Sequence, residues 1–315
     1  MIRTWISSFI RKNKTKILKI FKGIGLIILI STAAGMLFSQ MLKSENSTVD
    51  NNKIYVPNKT VISGENVKQE EFKEQDNLVK TFVNYCNEQK FEEAYNLLTE
   101  ECKQKEFPTY EKFKNNYCQT IFSDKRNYNM QSWVNEKGYN TYRVYFTEDI
   151  ISTGNYSGVQ KFEDYITIVT DEENNRKLNI KGYVKTKEIN KTTTTDELEI
   201  KVAKVDIYIP YERYYINIKN KTDKNILLDN LKDNSTVKLV GDSNVTYKFN
   251  DINLFTTNLH VDANNEKDIE LTFNKQYESH IKGLNIEFRK VIMDYLEYSQ
   301  DIENYNGYRK VTVKL

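Results

Sequence analysis

The chain has little of what punctuates a backbone and little of what carries most enzyme chemistry: 3 Pro, 11 Gly, 3 Cys, 2 His and 2 Trp in 315 residues. So few Pro and Gly exclude a collagen-like or low-complexity chain and leave long stretches free to form regular structure. The two histidines are His260 and His280, so no His-based general base can come from the first 259 residues. Both read as surface residues. Cys86, Cys102 and Cys118 stand 16 residues apart, a spacing that fits no zinc pattern. They read as small buried apolar side chains, with a disulfide between two of them as the alternative. No phosphate-cradling glycine loop, no G-x-S-x-G and no H-E-x-x-H occurs. No catalytic residue, cofactor or metal is therefore expected, and a Tyr–Asp pair is the only acid/base chemistry left open. Asn-x-Ser/Thr triplets at Asn46, Asn58, Asn190, Asn220, Asn234 and Asn244 read as chance in so Asn-rich a chain.

What is abundant is aromatic: 22 Tyr and 15 Phe, within a composition of 39% hydrophobic and 29% charged residues. That is the make-up of folded domains with strands. Net charge is +2, but seven of the 46 basic residues fall within 1–22, leaving 39 against 44 acidic ones. A mildly acidic body gives no reason to expect nucleic acid as a partner.

The basic segment 1–22 precedes twenty uncharged residues, 23–42, bracketed by Lys22 and Lys43. At the helical rise such a run spans about 30 Å, the thickness of a bilayer core. The expectation is a single N-terminal transmembrane helix with a cytoplasmic tail and an extracytoplasmic body, on the cell membrane. A cleaved signal peptide ending near Thr32-Ala33-Ala34 is the rival reading.

Residues 43–73 are polar and read as a stalk, with a short strand at 53–56. Three helical periodicities follow: Leu78, Val79, Phe82, Val83 and Cys86; Phe91, Ala94, Tyr95, Leu98 and Cys102; and, after Pro108 and a Thr109 cap, Tyr110, Phe113, Tyr117 and Ile121. Residues 128–188 then alternate as strands, as in Tyr142, Val144 and Phe146, with a polar turn at Asp171–Asn175. The expected fold is three helices on a curved antiparallel sheet over 74–189, a polar linker at 190–197, and an all-β sandwich over 198–315. Candidate strands of the latter include Leu198–Tyr208, Tyr214–Lys219, Asp268–Phe273 and Asn285–Val291.

The segment LVKTFVNYCNEQKFEEAYNLLTEECK, with a Pro-marked third helix and a sheet after it, resembles the NTF2-like fold over about Glu74–Ile189. Its most typical piece is Phe91–Leu98. YYINIKNKTDKNI (Tyr214–Ile226) and IELTFNK (Ile269–Lys275) resemble immunoglobulin-like domains of Gram-positive exported proteins. The plan of tail, anchor and NTF2-like body is similar to conjugation scaffold subunits, the VirB-type subunit of type IV secretion and TcpC-like proteins. TcpC-like proteins carry two NTF2-like domains, whereas the second segment here reads as all-β. The resemblance implies a non-enzymatic, membrane-anchored scaffold of the cell envelope whose partners are the membrane and other envelope proteins or itself. A small-ligand binder using the NTF2-like cavity is the alternative.

Overall fold

Glu70 and Glu71 in the first turn and a one-sided apolar stripe make Gln69–Asn87 a helix, α1. Phe72, Val79, Phe82, Val83 and Cys86 are its buried face, and Lys73, Glu74, Asn77 and Lys80 lie away from it. The computed structural model describes residues 59–62, 65–148, 161–231, 236–250, 256–278 and 282–315, all within one compact unit, Pro57–Leu315. Four short helical pieces follow α1: α2 (Phe91–Asn96), α3 (Glu100–Glu106), α4 (Tyr110–Phe113) and, after a π turn over Lys114–Cys118, α5 (Gln119–Ile121).

Four strands form the first sheet, in the order β1 (Arg126–Glu136), β2 (Tyr139–Glu148), β3 (Lys161–Thr170), β4 (Arg176–Asn179). Tyr142, Val144, Phe146, Ile166, Ile168 and Leu178 share one core with the helices. The next strand, β5 (Tyr183–Thr194), leaves this sheet at a turn whose Lys181 and Gly182 both have positive φ. It pairs instead with β6 (Leu198–Tyr208), edging a second antiparallel sheet in the order β12-β7-β6-β5, where β7 is Glu212–Asn220 and β12 is Glu266–Phe273. A third sheet is centred on β13 (Gly283–Ile292), flanked by β9 (Val237–Gly241) and β14 (Tyr308–Lys314), with β10 (Thr246–Lys248) beside β9, β8 (Ile226–Leu227) beside the end of β13 and β11 (His260–Val261) beside β8, and the second and third sheets share one core. A helix, α6 (Tyr295–Gln300), capped by Asp294, follows β13.

Several expectations are corrected. Five helical pieces replace three before the first sheet, and the described chain is dominated by strands, so three helices on a curved sheet followed by an all-β sandwich is not the fold observed. The second periodicity breaks because Leu98 bridges to Leu178: the Leu178 N–H donates to Leu97 O at 2.9 Å and the Thr99 N–H to Leu178 O at 3.0 Å. Thr99 then caps α3 by accepting from the Cys102 N–H. The third periodicity is interrupted by the π turn. The linker at 190–197 is no linker, since residues 191–194 pair with 199–202 in the β5–β6 hairpin. The expectation of a single-pass membrane protein is corrected too. Among the described residues no helix is long and apolar enough to cross a membrane: α1, the longest, is charged along one side. The tail 1–22, the run 23–42 that carried this expectation and the strand at 53–56 lie outside the described residues. The cell-membrane localisation drawn from that run is withdrawn with it.

One irregularity ties the two cores together. Trp133 occupies a bulge in β1: Ser132 pairs with Tyr142 while Val134 pairs with Thr141, whose side chain is on the opposite face. A one-residue insertion exchanges the faces of a strand. Met130 therefore lies in the first core and Val134 in the second.

The seam itself is polar and closely paired. Asp206, fully buried, is met by the Lys105 Nζ at 2.5 Å, the Tyr215 hydroxyl at 2.6 Å and the Thr186 hydroxyl at 2.7 Å. Tyr208 stacks on Tyr211 with ring centroids 4.5 Å apart and donates to Glu106 at 2.7 Å.

Candidate functional site

At the head of β3 the first sheet leaves a gap. β4 pairs with β3 only from Thr167 to Thr170, and beyond that the chain crosses toward β5. A cavity of about 520 Å³ opens there. The helical segment contributes Tyr117, Thr120 and Ile121; β1 and β3 contribute Trp133 and Phe162–Tyr165. The crossover contributes Lys181 and Gly182, and the β6–β7 turn and the stretch after β12 contribute Pro210 and Tyr277. The volume and the aromatic lining are those of small-molecule sites.

Its polar centre is Asp164. Alternation along β3 places Asp164 on the face of Ile166 and Ile168, so the strand's own register drives a carboxylate inward. The Tyr117 hydroxyl donates to its Oδ2 at 2.7 Å and the Lys181 N–H to the same oxygen at 3.1 Å, while the Tyr165 N–H donates to Oδ1 at 2.7 Å. No cation lies within ion-pair distance of it among the described residues. Burial pushes its carboxyl up to about 6, against the opposing pull of these three donors. Burial likewise pushes the Tyr117 hydroxyl well above its usual range, with the Asp164 charge adding to it.

The other charges on the wall are already paired. Arg143 makes a two-pronged contact with Glu163, 2.8 Å at each bond, and its guanidinium lies 5.2 Å from the Trp133 ring centroid. Lys181 pairs with Glu106 at 3.0 Å. Behind the Ile121 and Phe162 wall sits Arg126, whose side chain is fully buried. Its Nε donates to Ile121 O at 2.7 Å and its guanidinium carbon lies 5.0 Å from the Phe162 centroid. Nη1 is 3.4 Å from Glu148 Oε1, close enough for charge attraction, yet among the described residues neither Nη1 nor Nη2 has a hydrogen-bond partner. We take this as an ion pair without hydrogen-bond geometry.

A second cavity, about 370 Å³, lies at the end of the two-sheet body. There Lys275, 1% exposed, donates to Glu212 Oε1 at 2.6 Å, and the Tyr214 hydroxyl donates to Glu212 Oε2 at 2.7 Å. Tyr277 lines both cavities and donates to Glu136, which Lys185 also meets at 2.7 Å. A third hollow at the Asp171–Asn175 turn is walled mostly by charged and polar groups, among them Glu70, Glu71, Glu74, Lys137 and Arg176, and lacks the apolar body of a ligand site.

The residues weighed from sequence fall elsewhere. His260 pairs with Asp262 at 3.5 Å and stands edge-on to Tyr295, away from these cavities; His280 lies outside the described residues. Cys86 and Cys118 meet, sulfur to sulfur at 4.0 Å, in the first core, while burial pushes the Cys102 thiol up to about 12. Asn220 is buried, its amide held by the Lys224 and Asp262 carbonyls, which leaves no room for a glycan. Tyr–Asp hydrogen bonds form at Tyr117–Asp164, Tyr128–Asp76 and Tyr215–Asp206; the first lies in this cavity and joins residues 47 apart. Its one signal in the sequence is an acid at an apolar position of an alternating strand. Compared with known proteins, the chain matches no protein-family model, no curated protein and no solved structure.

Proposed function

We propose that the chain is a non-catalytic binding protein that takes a small molecule in the cavity at the head of β3. The observation that carries this reading is an aromatic cavity of about 520 Å³ with a single buried carboxylate held in place by three donors. A few fixed polar groups in a mostly apolar hollow are how such sites orient a ligand. Among the described residues neither histidine nor cysteine lines it. The test is a small-molecule collection scored by thermal shift on the full chain, repeated on Thr120→Trp, which places a large ring at an exposed wall position. Compounds that stabilise the natural chain and not the variant support the reading. Binding unchanged by the variant, or no stabilising compound, overturns it.

A second reading, an interaction scaffold, is favoured by a different observation. Around α6, Leu296 is 69% exposed, Ile302 47% and Tyr295 36%. Clustered exposed apolar side chains mark contact surfaces. Loss of self-association or partner capture in Leu296→Asp, with an unchanged thermal midpoint, supports it; unaltered association removes it.

A further inference from the structure

Four carboxylates are buried among the described residues: Asp206 and Glu212 are neutralised from within, Asp229 is held at the turn after β8 by the Leu231 and Thr236 N–H groups among its partners, and Asp164 lines the cavity. Asp206 has the Lys105 ammonium at 2.5 Å and Glu212 has the Lys275 ammonium at 2.6 Å. Among the described residues Asp164 has only a hydroxyl and two backbone N–H groups within hydrogen-bond distance, with the Lys181 charge acting on it from farther off. An ionised carboxylate removed from water is costly unless a cation meets it. It also keeps acceptor capacity: of roughly four lone-pair positions on its two oxygens, three are used, leaving one on Oδ1. Asp164 retains 8% of its surface, and it lines the cavity, so the remaining position is open to an occupant.

The wall decides the sign of that occupant. Among the described residues Lys181 is the only basic one lining the cavity, and Glu106 already holds it at 3.0 Å. Glu163 is held by Arg143. With those pairs internally neutral, the uncompensated charge facing the cavity is negative. The surroundings of that charge are aromatic: Trp133 and Tyr165 meet edge-on at 5.4 Å, and Tyr277 lies across the cavity wall. Ring faces favour cations and apolar groups alike.

We propose that the cavity takes an organic ammonium, its charged nitrogen set against Asp164 and its apolar body against Trp133, Tyr165 and Tyr277. This rests on the reading of the cavity as a ligand site. Among the described residues an anionic ligand meets no free cation on the wall, and a neutral one leaves the Asp164 charge uncompensated.

A charge series on one scaffold tests this: phenethylammonium, neutral 2-phenylethanol and anionic 3-phenylpropanoate. The readout is Trp133 emission in the full-length Trp5→Phe chain, which isolates the cavity's own tryptophan. Phenethylammonium binding about tenfold or more tighter than 2-phenylethanol, with 3-phenylpropanoate weakest, supports the inference. Equal binding of ammonium and alcohol, or preference for the carboxylate, overturns it while leaving the cavity as a ligand site. Binding by none of the three overturns it together with a site for ligands of this size. Asp164→Asn should abolish the preference for ammonium over alcohol, whereas Glu163→Gln should keep it; the reverse result overturns the assignment to Asp164. If Asp164→Asn does not fold, the series on the unsubstituted cavity decides alone.

Discussion

The two cavities that share Tyr277 are made of similar parts and balanced differently. At the end of the two-sheet body, Glu212 is met by Lys275 and Tyr214, and the charge closes on itself. At the head of β3, Asp164 is met by Tyr117 and two backbone N–H groups, and the charge stays open. A buried ion pair with both partners present is a structural solution, often replaceable by apolar groups at little cost. A buried acid without its cation marks a place where the fold has not been left to balance itself, which is the usual condition of a site.

The largest expected effect lies on the closed side. Lys275→Met leaves Glu212 buried and unpaired, and should lower unfolding free energy by about 3–5 kcal/mol in urea denaturation. The double variant Lys275→Met/Glu212→Gln should recover most of it. A loss below about 1 kcal/mol in the single variant would show that Lys275 does not neutralise Glu212, and the contrast between the cavities would collapse.

Next comes pH on the open side. The Asp164 carboxyl is pushed from 3.8 up to about 6, so the folded chain holds a proton that the unfolded chain has released. Its contribution favours folding most below about pH 4 and is lost as pH rises through about 6, a change of about 3 kcal/mol at most. Carboxylates held low by partners, such as Glu287 beside Arg289 and Lys310, run the opposite way. The difference between the natural chain and Asp164→Asn across pH 4–7 isolates the effect. A difference profile flat in pH would contradict it.

A smaller effect tests how tightly the closed side is packed. A Cβ on Gly283 would lie 2.9 Å from the Tyr214 hydroxyl and 3.0 Å from Leu239 Cδ1. Gly283→Ala should therefore cost about 1–3 kcal/mol by displacing the hydroxyl that holds Glu212. A neutral result would mean that this cavity has slack.

The smallest concerns the wall behind Tyr117. Cys86 and Cys118 are buried 4.0 Å apart, and burial raises the Cys86 thiol well above its usual value. In the native chain these thiols should react slowly with alkylating reagents. Mild oxidation should yield a Cys86–Cys118 crosslink with Cys102 free, read by peptide mass spectrometry. A crosslink that includes Cys102 would contradict the packing of this wall.

Much of the strand content was legible because alternation is local. β6 occupies Leu198–Tyr208 as expected, and Tyr142, Val144 and Phe146 face inward together. What was not legible depends on distant partners. The break after Asn96 follows from Leu98 bridging to Leu178, eighty residues on. Residues 190–197 read as a linker because they are polar and Thr-rich, and most of their side chains stay exposed even while the backbone of 191–194 pairs with β6. The short helix α6 was missed because one capped turn carries no period. The polar centres left a trace: Asp164, Glu212 and Lys275 each fall at a core-facing position of an alternating run. Which of them lacks an opposite charge emerges only from three-dimensional pairing.

The central claim, that the open carboxylate is a ligand's counter-charge, is tested most directly by a crystal structure of the chain grown with phenethylammonium. The account predicts the ammonium nitrogen at about 3 Å from a carboxylate oxygen of Asp164. A phenethylammonium seated beside Glu212 in the other cavity, or absent from both, would contradict it.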